Sequence, residues 1–212
     1  MLYTSYLANK LVDWLVRGQA YTPATTTLSI GLLTSTKGAR TSSTAYSLND
    51  TISLIANDGI THLYKCTTAG TSAAAQSTLY PGIKNEVITD GAAVFAEQYA
   101  AMKNATVAEA AYTGYTRTTV AASLANYSGT QGAGTTTAST GSGIPSTSNN
   151  IAITIGGSNT GTVSYVWATA WFDAATAGNM LMIEPLATAA IIQTGDAGPS
   201  FAPAALSFSI DE

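Results

Sequence analysis

With one cysteine, one histidine and few charges in 212 residues, the chain lacks the raw material for several classes of function. Cys66 alone excludes an internal disulfide and says little about redox compartment. A zinc site takes about four ligands from Cys, His or carboxylate, and His62 and Cys66 supply only one each of the first two types. Charged residues make up 9% of the chain, against about 25% in an ordinary globular domain, so the surface is expected to be neutral and rich in hydroxyls. Eight Lys and Arg against twelve Asp and Glu give a net charge of −4, with no basic cluster. A phosphate backbone is gripped by clustered cations, so nucleic acid is not an expected partner. No apolar run approaches the roughly 20 residues needed to span a bilayer. The stretch Met1 to Arg17 is no secretory signal either, because Lys10, Asp13 and Arg17 interrupt its spaced apolar positions. A soluble protein made in a cytoplasm is the expectation.

What is present is apolar residues at 46%, enough for a sizeable core, in short runs separated by Gly, Ser, Thr and Asn. Leu7, Leu11, Trp14 and Leu15 recur at spacings of four and three, which predicts a helix capped near Thr4 or Ser5 and ended by Gly18. Such a face needs cover, either from the domain's own sheet or from a neighbouring subunit. Thr27 to Thr34 alternates as a half-buried strand does, and residues 35–59 read as a long loop. Two strand-like runs, Ile60 to Ser72 and Glu86 to Gln98, flank Pro81-Gly82, with an Asp90-Gly91 reversal in the second. They predict a small antiparallel subdomain, and the Ala-rich part from Ala92 to Ala111 also fits a helix on propensity. Ser128 to Asn150 has little to bury and reads as loop. Ile151 to Ile155, Val163 to Phe172, Met180 to Leu186 and Leu206 to Ile210 read as strands, the second carrying Trp167 and Trp171 on one face, in the core. The architecture predicted is mainly β: an antiparallel β-sandwich with an N-terminal α-helix and an inserted β-hairpin subdomain, with residues 1–51 and 104–212 as the sandwich and 52–103 as the insert.

A search for reactive groups finds little. His62 and Cys66, four apart on a predicted strand, share a face at about 13 Å, too far for a thiolate–imidazole pair. The carboxylates are scattered, and Asn49-Asp50 and Asn57-Asp58 are ordinary turn formers rather than parts of a calcium loop. There is no nucleophile elbow, phosphate-cradling loop or dinucleotide fingerprint. No catalytic, cofactor-binding or metal-binding residue is predicted, and no enzyme. Eleven tyrosines are more plentiful, and those near turns, Tyr64 and Tyr80 among them, are candidates for surface contact.

Four blocks carry a resemblance. Tyr6-Leu-Ala-Asn-Lys-Leu-Val-Asp-Trp-Leu-Val-Arg-Gly, Leu28-Ser-Ile-Gly-Leu-Leu-Thr, Gly114-Tyr-Thr-Arg and Trp171-Phe-Asp-Ala-Ala-Thr-Ala-Gly-Asn-Met-Leu, in that order, resemble small bacteriophage virion structural proteins commonly labelled tail fibre or structural protein. Tyr64-Lys-Cys-Thr-Thr-Ala-Gly-Thr-Ser through Thr89-Asp-Gly-Ala-Ala-Val-Phe resembles a small module recurring in phage fibre and head-surface proteins. The resemblance implies a non-enzymatic virion component that assembles as a symmetric homo-oligomer beside other virion proteins, with no cofactor. Tail attachment is the first reading, capsid decoration the second, and a carbohydrate-binding adhesin facing host surface glycan the reading of another class. Leu7, Leu11, Trp14 and Leu15 are then the candidate subunit interface.

Overall fold

Short apolar runs broken by turn residues form short strands, and the computed structural model, which describes residues 2–20, 27–75, 80–128 and 146–209, contains them in number. In chain order they begin with β1 (Leu2–Tyr3), α1 (Ser5–Arg17), β2 (Thr27–Ser35), β3 (Ala45–Tyr46), β4 (Thr51–Ile55), β5 (Thr61–Thr68), β6 (Gly70–Thr71), β7 (Val87–Asp90) and β8 (Ala93–Glu97). There follow α2 (Tyr99–Lys103), β9 (Thr118–Ala121), β10 (Ser146–Ser148), β11 (Ile153–Thr154), β12 (Ser164–Phe172), β13 (Met180–Ile192), β14 (Ser200–Phe201) and β15 (Ser207–Ser209). The fold is mainly β and antiparallel, with an N-terminal helix and, among the described residues, no closed barrel.

A five-stranded sheet in the order β1-β13-β12-β2-β9 forms the body. Its central strands β2 and β12 are buried almost throughout, which requires cover on both faces. On one face Ile30, Leu32, Val166 and Trp171 pack under Tyr112, Ile153, Ile155 and Leu206. On the other, Leu33, Trp167, Ala170 and Phe172 pack against Leu63 of β5 and Met102 of α2. A second sheet, ordered β4-β5-β8-β7, has a cluster of its own built on Ile52, Tyr64, Cys66, Tyr80, Ile88 and Phe95. Thr61 ties the two sheets by donating its hydroxyl to the Leu186 carbonyl at 2.8 Å.

Three sequence expectations are corrected. Trp167 and Trp171 are both fully buried but lie in opposite clusters. The register of β12 slips between Val166 and Ala168 against both of its neighbours, so Trp167 sits in a bulge and the alternation changes phase there. Residues 35–59 are not all loop: Thr51–Ile55 is strand β4, pairing with β5 and burying Ile52 and Leu54. Within the stretch read as loop from Ser128 to Asn150, Ser146–Ser148 pairs with Ser207–Ser209, while residues 129–145 lie outside the described part.

Candidate functional site

The residues of the four resemblance blocks, far apart in sequence, meet in space. Gly31 lies in the middle of β2, where a Cβ would stand 2.5 Å from the Tyr115 hydroxyl and 3.1 Å from Phe172 Cε2. The hydroxyl accepts from the Leu32 N–H at 3.0 Å and donates to Glu109 at 2.7 Å. Glu109 also takes the Arg117 fork, at 2.7 and 2.6 Å. Arg117 Nη1 donates to the carbonyls of Ala174 and Ala177 at 2.8 and 2.6 Å, and the guanidinium carbon sits 3.4 Å from the Phe172 ring centre. Asp173 closes the following turn by accepting from the Asn179 N–H at 2.6 Å and its side-chain amide at 2.8 Å. Burial first, and then Asp173, raise the pKa of the Tyr6 phenol above its ordinary value. One residue or more from each block thus enters a single polar knot beneath the start of α1.

A larger groove, of about 430 Å³, runs between Asp58, His62, Lys84 and Tyr99 on one side and Pro185 and Leu186 on the other. Glu97 reaches it from inside: its Oε2 accepts the N–H groups of Asn85 and Tyr99 at 2.7 and 2.8 Å. Its Oε1 lies 3.2 Å from His62 Nδ1, and Asp58 Oδ2 lies 2.9 Å from His62 Nε2. Burial alone would lower the His62 pKa, but the hydrogen bonds and charges of Glu97 and Asp58 outweigh it and leave it raised. Both ring nitrogens are engaged, so His62 acts as a tie between the β4–β5 turn and β8. Cys66, two residues beyond Tyr64 on the same strand, is buried and directs its thiol at the Thr68 carbonyl, 3.2 Å away. Burial, with the charge of Asp50, pushes that thiol up. Among the described residues no group of three or more His, Cys, Asp or Glu is placed to hold a metal.

Tyr64 and Tyr80 are not surface contacts. Both are enclosed, edge to face with ring centres 5.0 Å apart, because the second sheet needs bulky side chains to fill its core. Their hydroxyls are satisfied by Glu86 at 2.6 Å and Asp90 at 2.8 Å. Asp90 leads to a pair that the sequence did not reveal. Arg40 clamps it through Nε at 2.7 Å and Nη2 at 2.9 Å, and the same Nη2 donates to the Ala73 carbonyl at 2.7 Å. Fifty residues separate the two, so no local pattern announces the contact.

Helix α1 has the predicted limits. The Thr4 side chain caps it from the Leu7 N–H, and Gly18 ends it at φ +65°. Thr4 also anchors it to the body, donating its hydroxyl to Met180 O at 2.7 Å and its N–H to Leu181 O at 2.9 Å. Yet none of its residues is fully buried, so its cover of the sheet is partial. Leu7 and Leu11 are half-buried, whereas Trp14 and Leu15 are exposed together with Val12 and Val16, at 54%, 69%, 54% and 80%. The last two were missed because a four-and-three stripe ignores the flank of a wider apolar arc.

Among the described residues no helix is long and apolar enough to cross a membrane. No curated protein matches the chain. A family described as podophage GP4 fiber I protein gp80 matches residues 74–209, well over half of the sequence. The match takes in the Gly114 and Trp171 blocks and leaves the two N-terminal blocks outside it. The chain belongs to the family of the podophage GP4 fiber I protein gp80.

Proposed function

We propose that this fibre-family protein is a non-enzymatic structural subunit of a phage tail fibre, attached to the tail and assembled as a symmetric oligomer. The observation that carries the non-enzymatic part is the use of the candidate reactive groups as internal ties. His62 is held by Asp58 and Glu97, Asp90 by Arg40, Glu109 by Arg117, and Cys66 is enclosed. A general base or nucleophile needs a free lone pair aimed at a substrate, and these side chains aim theirs at one another. The 52–103 stretch is read as an inserted unit, since β4, β5, β7 and β8 form one sheet with a core of its own, to which Tyr46 is added from outside and against which Ala39 bridges Ser53. The adhesin reading loses Tyr64 and Tyr80, two of the turn tyrosines on which it rested. Incubation of the purified protein with host surface polysaccharide tests the account: no new reducing ends are expected, and turnover abolished by changing Asp58 and Glu97 together would overturn it.

A further inference from the structure

His62 stands where two carboxylates converge from different parts of the second sheet. Asp58 Oδ2, in the β4–β5 turn, lies 2.9 Å from Nε2, and Glu97 Oε1, on β8, lies 3.2 Å from Nδ1. An ionised carboxylate only accepts, so each contact is a hydrogen bond only while the nitrogen facing it carries a proton. The imidazolium has two N–H groups and the neutral ring one. The site is therefore drawn around the charged ring, and a neutral ring sets a lone pair against one of its two partners. Those partners are not equal. The Glu97 side chain is shut off from water, and its second oxygen is held by the Asn85 and Tyr99 N–H groups, so leaving it uncompensated there is costly. The Asp58 side chain is 33% exposed, and water can take the place of the ring. The one remaining proton thus belongs on Nδ1, and Asp58 is the contact that opens.

Asp58 also joins the β4–β5 turn to the turn at 81–86. A Cβ on Gly82 would stand 2.6 Å from the Asp58 carboxyl carbon, and beside it the Asn57 N–H donates to the Tyr80 carbonyl at 2.8 Å. Both turns wall the 430 Å³ groove, through Asp58 and Ile60 on one and Gly82 and Lys84 on the other. We infer that His62 is a proton-operated latch: loss of one proton releases Asp58, the β4–β5 turn parts from the 81–86 turn, and the groove widens while both sheets stay folded. The proton leaves as pH rises, and the hydrogen bonds and charges of Glu97 and Asp58, outweighing burial, place that step above 6.5. The other titratable groups around the ring are Lys84 and Glu86 on the facing turn, Tyr64 on β5, Tyr99 on α2 and Glu184 on β13. Burial and Glu86 push the Tyr64 phenol up, and the cross-strand partner Leu54 carries no charge.

His62 is the one histidine of the chain, so its ring signals are assigned without ambiguity. Heteronuclear NMR of the full chain from about pH 5 to about pH 9 is expected to find both ring nitrogens protonated at the acid end and Nδ1 alone at the alkaline end. A last proton kept on Nε2, or a midpoint at or below 6.5, overturns the latch. Amide exchange reads the opening, with each rate divided by that of an unstructured peptide at the same pH. Protection of Asn57 and Gly82, whose N–H groups donate to Tyr80 and Glu86, is expected to fall about tenfold across the range, while the amides of β2 and β12 keep theirs. His62→Gln and Asp58→Asn each remove one side of the latch and are expected to leave the two amides weakly protected at both ends, with no such fall. Equal protection at the two ends in wild type, a fall as large in either variant, or a fall shared by β2 and β12 overturns the proposal.

Discussion

Arg40 and Asp90 form a two-pronged ion pair, 2.7 and 2.9 Å, with both side chains shut away from water. The pair draws the 39–43 segment onto the β7–β8 turn, and the Tyr80 hydroxyl and the Ala73 N–H complete the shell around the carboxylate. Removing one partner leaves a buried, uncompensated charge, so Arg40→Ala is expected to cost about 3–5 kcal/mol in chemical denaturation. An apolar replacement of both, Arg40→Met with Asp90→Leu, is expected to cost clearly less than the single change.

Acid should act on the same carboxylate. Burial alone would raise the Asp90 pKa, but Arg40, the Ala73 N–H and Tyr80 outweigh it and hold it below 3.8. A depressed carboxyl stabilises the fold above its unfolded value, and that stability is lost as pH falls through the folded one. Thermal unfolding midpoints taken from about pH 5 down to about pH 2 are expected to fall steeply in wild type and less steeply in Asp90→Asn, which starts lower.

His62 carries the opposite sign. Its folded pKa stands above 6.5 on account of Glu97 and Asp58, against the opposing effect of burial. Its stabilising contribution is therefore complete below 6.5 and declines as pH rises through the folded value. Lys84 and Glu184 line the same groove and Tyr64 lies beside the ring, so the comparison is best made against His62→Gln, which leaves those groups in place. The midpoint of wild type is expected to drop between about pH 6 and about pH 9 more than that of the variant.

Gly31 is required by a close approach. Alanine there drives its methyl into the Tyr115 hydroxyl, and the expected cost is about 1–3 kcal/mol. Tyr115→Phe removes the hydroxyl but orphans the Leu32 N–H and a Glu109 oxygen, so it is destabilising by itself. Combining the two is expected to cost less than the sum, with a coupling of about 1 kcal/mol in a double-mutant cycle.

How much of this was legible in the sequence follows the range of each interaction. The limits of α1 were readable because Thr4 and Gly18 act within a turn of the residues they cap. The strands β2 and β12 were readable from their apolar runs. The phase of β12 was not, since the bulge at Trp167 is set by register against β2 and β13 together. Strand β4 was hidden by the turn residues on both sides of a five-residue run. Tyr64 and Tyr80 were misplaced for a similar reason: turn-forming neighbours suggested exposure, while burial comes from partners such as Phe95 and Asp90. The resemblance blocks were visible, but their meeting through Arg117 and Asp173 belongs to the folded chain.

Gold-labelled antibodies against this chain, applied to intact particles under the electron microscope, test the fibre role most directly. Label confined to the tail and its appendages is the predicted result. Label spread over the head surface, or particles of undiminished infectivity that lack the protein altogether, would contradict it.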